Sequence, residues 1–311
     1  MSCEEKHHIL EIEDLSVSFR QYDKGANQVE LPVISKLNVS VHAGEIVAVV
    51  GASGSGKSLL AHAIFDILPQ NAKKEGNIWF EEEPLDGRRV QKVRGREIAL
   101  VPQSVNYLDP LMKVGKQVRG GRKTQEVIRR QRELFEQYDL ESEVEELYPF
   151  ECSGGMIRRI LLCTALMGNP RLIIADEPTP GLQLSLAKKA MEDFRRFADE
   201  GNGVLLITHD IELALEIADR IAVFYAGTTV EEALVSDFGA EETLRHPYTK
   251  ALYRALPGNG FQTIPGSQPY VKDLPKGCVF GPRCEAFSEK CTGEIPERLI
   301  RCGTVRCVNC N

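Results

Sequence analysis

The sequence predicts a mixed α/β fold in which apolar strands alternate with amphipathic helices around a glycine-rich loop. Three apolar runs, at 45–50, 171–176 and 204–208, have the length and β-branched content of strands in a parallel sheet. The first run leads directly into the glycine-rich loop and a helix-forming segment. Helical periodicity over 187–198 separates the other two runs. This alternation is typical of βαβ units, so we expect a parallel sheet covered by helices.

The composition is that of a soluble globular protein. Of the 311 residues, 42% are hydrophobic and 27% charged, and the net charge is −7. The acidic balance gives no reason to expect nucleic acid or an anionic membrane surface as the main partner. No apolar run approaches the roughly 18–20 residues of a membrane-spanning helix, and residues 1–8 lack the basic-then-apolar order of a signal peptide. We therefore expect a cytoplasmic protein with no nucleic-acid partner.

The first fifty residues predict strands. The stretches 9–19 and 33–41 alternate apolar and polar residues, and the polar stretch 21–30 between them predicts a hairpin loop. Phe19 and Tyr22 are candidates for stacking on an adenine ring. The alternative for either aromatic side chain is an ordinary place in the core or on the sheet surface.

A phosphate-binding loop follows the strand at 45–50. It matches the pattern G-x-x-x-x-G-K-[ST] and consists of Gly51, Ala52, Ser53, Gly54, Ser55, Gly56, Lys57 and Ser58. Glycines let backbone N–H groups face phosphate oxygens, and the N-terminus of the next helix adds partial positive charge. Lys57 is expected to reach the β- and γ-phosphates, and the Ser58 hydroxyl to bind Mg²⁺. Because the strand–loop–helix context is complete, the sequence predicts binding of a nucleoside triphosphate.

The middle of the chain offers two further candidate sites. Residues 76–103 predict strands and a turn at Asp86 and Gly87, and Gln103 ends an apolar run where a polar side chain can contact a ligand. Residues 112–150 predict charged helices. The loop Ser153, Gly154 and Gly155 then opens an apolar helix over 160–167, which repeats the phosphate-binding arrangement of a loop before a helix N-terminus.

Polar residues end the next two apolar runs. Asp176 and Glu177 follow the run at 171–176, and His209 follows the run at 204–208. An Asp at a strand end can hold Mg²⁺ directly or through water, and the next carboxylate can orient an attacking water. A histidine beside these carboxylates is a candidate for contact with the γ-phosphate. A strand at 220–225 is expected to close this core.

The C-terminal region differs in amino-acid composition from the rest of the chain. Proline and glycine become frequent after about residue 235, and six of the nine cysteines lie between Cys278 and Cys310. Disulfides are disfavoured in a reducing cytosol. Thiolates serve both zinc and iron–sulfur clusters, so either a Cys₄ zinc site or a cluster accounts for this density. The tail contains no histidine after Cys278, which excludes a mixed Cys/His zinc site there.

Together these motifs resemble the nucleotide-binding subunit of an ATP-binding cassette (ABC) transporter, with Walker A at 51–58, the Q-loop at Gln103 and the signature at 153–155. Walker B at 172–176, the catalytic Glu177 and the switch His209 complete the resemblance. It implies a RecA-like P-loop NTPase core with an ABC β-subdomain and an inserted helical subdomain. It also implies ATP hydrolysis with ATP bound at 51–58, the adenine on Phe19, and Mg²⁺ held by Ser58, Gln103 and Asp176. Lys57, Gln103, Glu177 and His209 are the implied catalytic residues, and Ser153, Gly154 and Gly155 contact ATP. On this basis residues 1–235 form the ATPase domain, with the helical subdomain at about 104–168, and 236–311 form a Cys-rich C-terminal region.

The tail narrows the resemblance further. The segments 246–252, 264–266 and 277–284 are similar to the C-terminal region of oligopeptide, dipeptide and nickel importer ATPases. That family implies a second ATPase subunit, two membrane permeases and an extracytoplasmic substrate-binding protein, with this chain peripheral on the cytoplasmic face of the cell membrane. Some members hold an iron–sulfur cluster in this tail, which implies a [4Fe–4S] cluster here. Its implied ligands are Cys278, Cys284, Cys291 and Cys307, with Cys302 or Cys310 as substitutes for Cys307 and Zn²⁺ as the alternative metal.

Three residues depart from the family pattern. Cys152 precedes the signature serine where Leu is usual, Arg158 stands where Gln is usual, and Gln183 replaces the Asp of the D-loop. The change at Gln183 removes a carboxylate from the expected contact between two ATPase subunits, so it is open whether both composite ATP sites hydrolyse. The function expected is ATP-driven import of di- or oligopeptides, with nickel or another chelated metal as the alternative cargo. A soluble ABC ATPase without a transport role is the rival from another class, and a small-molecule kinase does not explain 153–155 and His209.

Overall fold

An eight-stranded sheet forms the centre of the computed structural model, which describes residues 7–22, 27–52 and 54–310. Its five parallel strands lie side by side, and three further strands continue the sheet in antiparallel orientation. In spatial order the parallel strands are β6 (Ile98–Val101), β7 (Leu172–Asp176), β8 (Gly203–Thr208), β3 (Glu45–Gly51) and β9 (Arg220–Tyr225). The antiparallel strands are β10 (Thr228–Leu234), β12 (Gly303–Val305) and β11 (Arg298–Ile300).

A second, antiparallel sheet contains the N-terminal strands. Its order is β2 (Gln28–His42), β1 (His8–Tyr22), β4 (Ala72–Phe80) and β5 (Glu83–Pro84). The alternation of apolar and polar residues in β1 and β2 places one face of this sheet on the core and leaves the other largely exposed.

Eight α-helices connect and cover the strands of the described residues. They are α1 (Lys57–Ile64), α2 (Gly87–Val93), α3 (Val114–Val118), α4 (Gln125–Gln137), α5 (Gly154–Leu166), α6 (Leu184–Asp199), α7 (Ile211–Ile217) and α8 (Pro247–Ala255). Several of these helices have a polar N-cap residue whose side-chain oxygen accepts a free N–H of the first turn. Asp86 caps α2, Thr124 caps α4 and Asp210 caps α7 in this way. No helix in the described part of the chain is long and apolar enough to span a membrane.

Two hydrophobic cores lie on opposite faces of the parallel strands. Strand β3 shows the division: Ile46, Ala48 and Val50 pack with α5 and α6, whereas Val47 and Val49 pack with α1 and the antiparallel sheet. Because successive side chains of a strand point to opposite faces, a strand buried on both sides needs the uninterrupted apolar run that the sequence has here. The parallel strands are thereby fixed with all their C-terminal ends on one edge.

The structure confirms the α/β class and the strands expected around the loop, and it corrects several local predictions. The segment after Asp86, expected as a turn, starts helix α2. The charged region 112–150 contains the expected helices, α3 and α4, but its end forms 3₁₀ turns at 142–146 and 149–151 in place of α-helix. Strand β9 does not close the sheet, since β10 pairs with it and the tail strand β12 pairs with β10. The tail therefore adds a hairpin to the central sheet.

Candidate active site

The predicted phosphate loop lies at the C-terminal end of β3 and leads into α1. Gly51 approaches β9 so closely that a Cβ atom there would overlap the backbone carbonyl of Phe224. Gly54 and Gly56 have φ angles of 78° and 98°, a region that residues with a side chain adopt at a cost. The glycines at these positions are thus required by the backbone geometry. Ser53 lies outside the described residues.

Lys57 is buried and bonded to the loop itself. Its Nζ donates to the carbonyl oxygens of Gly51 at 2.8 Å and Ala52 at 3.0 Å. Burial lowers the pKa of Lys57, and the carboxylates of Glu177 and Asp176 act in the opposite direction. An ammonium held in this position can exchange carbonyl partners for phosphate oxygens, whose negative charge would favour its protonated form.

Three oxygen ligands predicted for Mg²⁺ come together at the strand ends. The Ser58 hydroxyl donates to Oδ1 of Asp176 at 3.1 Å and lies 3.5 Å from Oε1 of Gln103. Burial raises the pKa of Asp176 to about 6, since a carboxylate with little water around it is disfavoured in its charged form. A hydroxyl, an amide oxygen and a carboxylate form the hard-oxygen donor set that suits Mg²⁺, so these residues fit the ion.

Glu177 and His209 contact each other directly. Nδ1 of His209 lies 2.8 Å from Oε1 of Glu177, whose other carboxylate oxygen is buried without a hydrogen-bond partner among the described residues. Glu177 has a φ of 50°, in the left-handed region that residues with a side chain rarely adopt. Its free oxygen is therefore an acceptor available to a water molecule at the edge where Asp176 and Lys57 lie.

Two contacts around this site were not expected from the sequence. Arg158 on α5 donates from Nη1 to the carbonyl oxygen of Glu177 at 3.4 Å, and its Nε would lie 3.2 Å from a Cβ atom at Gly181. The hydroxyl of Tyr107 is 2.8 Å from Nε2 of His62 on α1, which joins the segment after Gln103 to the phosphate-loop helix. The departure at Arg158 was visible in the sequence, but the partners of both contacts are distant in the chain.

The signature residues stand apart from this cluster at the start of α5. Ser153 caps the helix by accepting the N–H of Met156 at 3.2 Å, and Ser153 and Gly154 are exposed. Gln183 immediately precedes α6 but makes no side-chain cap, whereas an Asp at an N-cap position would accept an N–H. Phe19 is half-buried against the core beneath the antiparallel sheet, so its stacking on adenine remains a prediction.

The four cysteines predicted as cluster ligands share one small cavity. Cys278, Cys284, Cys291 and Cys307 line it together with His246 and Asn309. Burial raises the pKa of Cys278, Cys284 and Cys307, the last to about 11. Backbone N–H groups that donate hydrogen bonds to these sulfurs act in the opposite direction. Cys310 lies outside this cavity, and Cys302 is in a disulfide, contrary to the expectation of reduced thiols. Within the described residues no three His, Cys, Asp or Glu side chains are close enough to hold a metal ion as they stand.

Comparisons with known proteins agree with this geometry. Residues 34–180 match the ABC transporter family, and residues 230–291 match the family described as the oligopeptide/dipeptide transporter C-terminal region. Among solved structures, the dimeric structure of MJ0796, a bacterial ABC transporter cassette, has a TM-score of 0.63 and 27% identity. The match covers 73% of this chain and 98% of that one.

Similar proteins match along nearly the whole chain. The oligopeptide transport ATP-binding protein AppD of Bacillus subtilis is 32% identical over 96% of both chains. OppD of Escherichia coli, also an oligopeptide transport ATP-binding protein, is 32% identical over 96% of this chain and 92% of its own. The chain therefore belongs to the family of oligopeptide transport ATP-binding proteins of ABC transporters.

Proposed function

We propose that this protein hydrolyses ATP to drive import of di- or oligopeptides through partner permeases. The observation that carries the proposal is the convergence of Ser58, Gln103 and Asp176 beside the Glu177–His209 pair. These residues follow four different parallel strands, and they meet because the C-terminal ends of those strands share one edge. The membership in a peptide-transport family supports peptides as the cargo.

Each residue of the cluster has a part in the reaction. Lys57 would exchange its carbonyl partners for the β- and γ-phosphates, placing positive charge where negative charge develops. Ser58, Gln103 and Asp176 would hold Mg²⁺, which neutralises phosphate charge when bound. Glu177 would accept a hydrogen bond from the attacking water through its free carboxylate oxygen, while His209 holds the other oxygen in place.

The assembly we propose contains two ATPase chains facing each other beneath two permeases. The exposed position of Ser153 and Gly154 supports this arrangement, because the signature loop of one chain would then cover the ATP bound to the other. The chain would sit at the cytoplasmic face of the membrane, and a substrate-binding protein would deliver the cargo. Residues 1–235 and 236–311 are the proposed ATPase and C-terminal regions, with the helical subdomain at about 104–168.

Reconstitution with the permeases in vesicles tests this function. We expect Lys57→Ala to abolish ATP hydrolysis and peptide uptake, because removing one electrostatic contact to a transition state costs about 100-fold or more. Lys92→Ala, at an exposed lysine on α2, is the matched control and should behave like the wild type. Hydrolysis near the wild-type rate in Lys57→Ala would contradict the assignment of the phosphate loop.

The same vesicles distinguish the alternatives. Labelled peptide that accumulates with ATP, without uptake of radioactive nickel, is the expected result. Uptake of nickel without uptake of peptide would show that the cargo is a metal, and the proposed mechanism of ATP-driven import would still apply. Hydrolysis that neither depends on the permeases nor accompanies any uptake would favour the soluble ATPase.

For the tail we propose a [4Fe–4S] cluster held by Cys278, Cys284, Cys291 and Cys307. Their shared cavity supports it, as do the backbone N–H groups near Cys278, Cys284 and Cys307, since such donors stabilise thiolates. Protein purified without oxygen should be brown, and Cys284→Ser should lose the colour while Cys152→Ser keeps it. Colourless wild-type protein with one equivalent of zinc would favour the Cys₄ zinc alternative.

A further inference from the structure

A cavity of about 440 Å³ lies between the nucleotide-binding region and the tail. The turn between β9 and β10 forms one wall, and the tail segment around Cys278 and Arg306 forms another. None of the ATP-site residues described above lines it. Its volume is within the range of cavities that hold small organic molecules.

Three buried polar atoms on residues lining this cavity have no hydrogen-bond partner among the described residues: Oγ1 of Thr228, Nε of Arg306 and Nε2 of His246. Thr228 is 8% exposed and His246 is 1% exposed. Nδ1 of His246 accepts the N–H of Tyr248 at 3.0 Å, so the proton of the neutral ring is on Nε2. His246 also lines the small cysteine cavity, and Nε of Arg306 faces Glu297, so the Thr228 hydroxyl is the atom that most directly calls for a ligand here. Buried polar groups without partners are rare in folded proteins.

The charges around the cavity specify the ligand further. Lys36, Lys276 and Arg306 supply three positive charges. Glu294 pairs with Lys36 at 2.9 Å, and Glu297 lies 3.6 Å from Nε of Arg306, which leaves an excess of one positive charge. Much of the remaining lining is apolar and comes from Val230, Leu274, Val279 and Ile295.

We propose that this cavity is an effector site for a small organic monoanion, with its carboxylate bonded to the Thr228 hydroxyl and balanced by Lys276, the lining cation without a carboxylate partner among the described residues, and an apolar body against Val230 and Leu274. The site adjoins the phosphate loop through one short segment. Ser35 donates its N–H to the carbonyl of Gly227, in the turn that forms the cavity wall, at 2.8 Å. Two residues earlier, Val33 packs against Gly56 of the loop. A ligand that shifts this turn would therefore change ATP affinity through the segment 33–35.

Calorimetry on the full chain tests the binding, with 4-methylpentanoate and N-acetyl-L-leucine as probes. The neutral 4-methylpentanamide is the matched control ligand. We expect both carboxylates to bind, the amide to bind at least tenfold more weakly, and the carboxylates to shift the KM for ATP. Thr228→Val, which keeps the side-chain shape, should weaken carboxylate binding about tenfold or more, because a hydrogen bond to a charged group is lost.

Lys290→Met is the control variant, since Lys290 is exposed in the same tail but does not line the cavity. It should bind the probes like the wild type. Four results would overturn the proposal: no binding of either carboxylate, equal binding of the amide, binding of inorganic phosphate in their place, or unchanged affinity in Thr228→Val. Binding without any change in the KM for ATP would overturn the effector role.

Discussion

At the scale of single residues, the site is defined by side chains that contact one another directly. His209 is bonded to Glu177, Ser58 to Asp176, and Lys57 to the loop carbonyls. Each of these contacts leaves one group free for a ligand: an oxygen of Glu177, the lone pairs of Asp176, and the exchangeable bonds of Lys57. The pocket is therefore arranged for a ligand that supplies water, a cation and phosphate oxygens at neighbouring points.

The free oxygen of Glu177 gives a direct prediction. Glu177→Gln preserves the shape of the side chain and a partner for His209, but an amide is a much weaker acceptor of a proton from water. We expect ATP still to bind, while kcat falls about 10²–10⁴-fold, as for the loss of a general base.

The accompanying observation would be a dimer of ATPase chains that persists with ATP, measured by size-exclusion chromatography. Glu192→Gln on α6, an exposed carboxylate, is the matched control and should hydrolyse normally. If Glu177→Gln turned over ATP at the wild-type rate, another group would position the water, and His209 would be the first to examine.

At the scale of secondary structure, an ion cluster fixes the start of β3 against the start of β9. Glu45 is buried and accepts from His42 at 2.6 Å and from Arg220 at 3.0 Å. Burial alone would raise the pKa of Glu45, but the hydrogen bond from His42 and the charge of Arg220 outweigh it and lower the pKa to about 2. The strand that leads into the phosphate loop is thus held in register by a carboxylate.

This lowered pKa predicts a pH dependence of stability. A carboxylate with a folded-state pKa below its unfolded value stabilises the protein above about pH 4.5, and that contribution falls as the pH drops toward 2. The free energy of unfolding of the wild type should be about 3 kcal/mol larger than that of Glu45→Gln at pH 7. At pH 4 this difference should be smaller by about 1 kcal/mol. Urea unfolding at the two pH values measures the difference. Glu83→Gln, at an exposed ion pair, should show little effect at either pH, and a pH-independent difference for Glu45→Gln would contradict the mechanism.

The elements differ in how far the sequence predicted them. Strands β3, β7 and β8 are long apolar runs buried on both faces, so their pattern alone identifies them, and the polar residues that end them locate the site. Strand β10 was missed because it contains Glu231 and Glu232, which are buried only because Arg245 and Arg220 pair with them from elsewhere in the chain. The three-residue strands β11 and β12 are too short to show a period. A local sequence pattern indicates which residues are buried among apolar neighbours. It does not indicate a buried charged residue whose ion-pair partner comes from a distant part of the chain.

At the scale of the whole molecule, the tail is anchored by a buried network. Glu231 on β10 accepts the backbone N–H groups of Arg245 and His246 at 3.0 and 2.7 Å and the Nη1 of Arg245 at 3.2 Å. Nη2 of Arg245 donates to Asp237 at 2.9 Å. A Cβ atom at Gly303, on β12, would contact Arg245 as well, so the network lies where the tail hairpin joins the sheet.

Breaking this network should loosen the tail from the ATPase region. Glu231→Ala removes one of the two carboxylate partners of a buried guanidinium and the acceptor of two backbone N–H groups, and we expect a loss of about 3–5 kcal/mol in the free energy of unfolding. Arg245→Met should also destabilise. The double variant should be less destabilised than the sum of the two by at least about 1 kcal/mol, because both single changes remove the same buried ion pair.

Two measurements separate this network from an ordinary ion pair. Urea unfolding gives the coupling energy, and limited proteolysis should cleave the region after residue 235 faster in Glu231→Ala than in the wild type. Glu241→Ala breaks the half-exposed pair of Glu241 with Arg254 in the same tail and should cost at most about 1 kcal/mol, since solvent screens such pairs. If the two buried changes were additive, or the tail were cleaved no faster, Glu231 would be a local strand residue and the hairpin β11–β12 would be held by its backbone pairing alone.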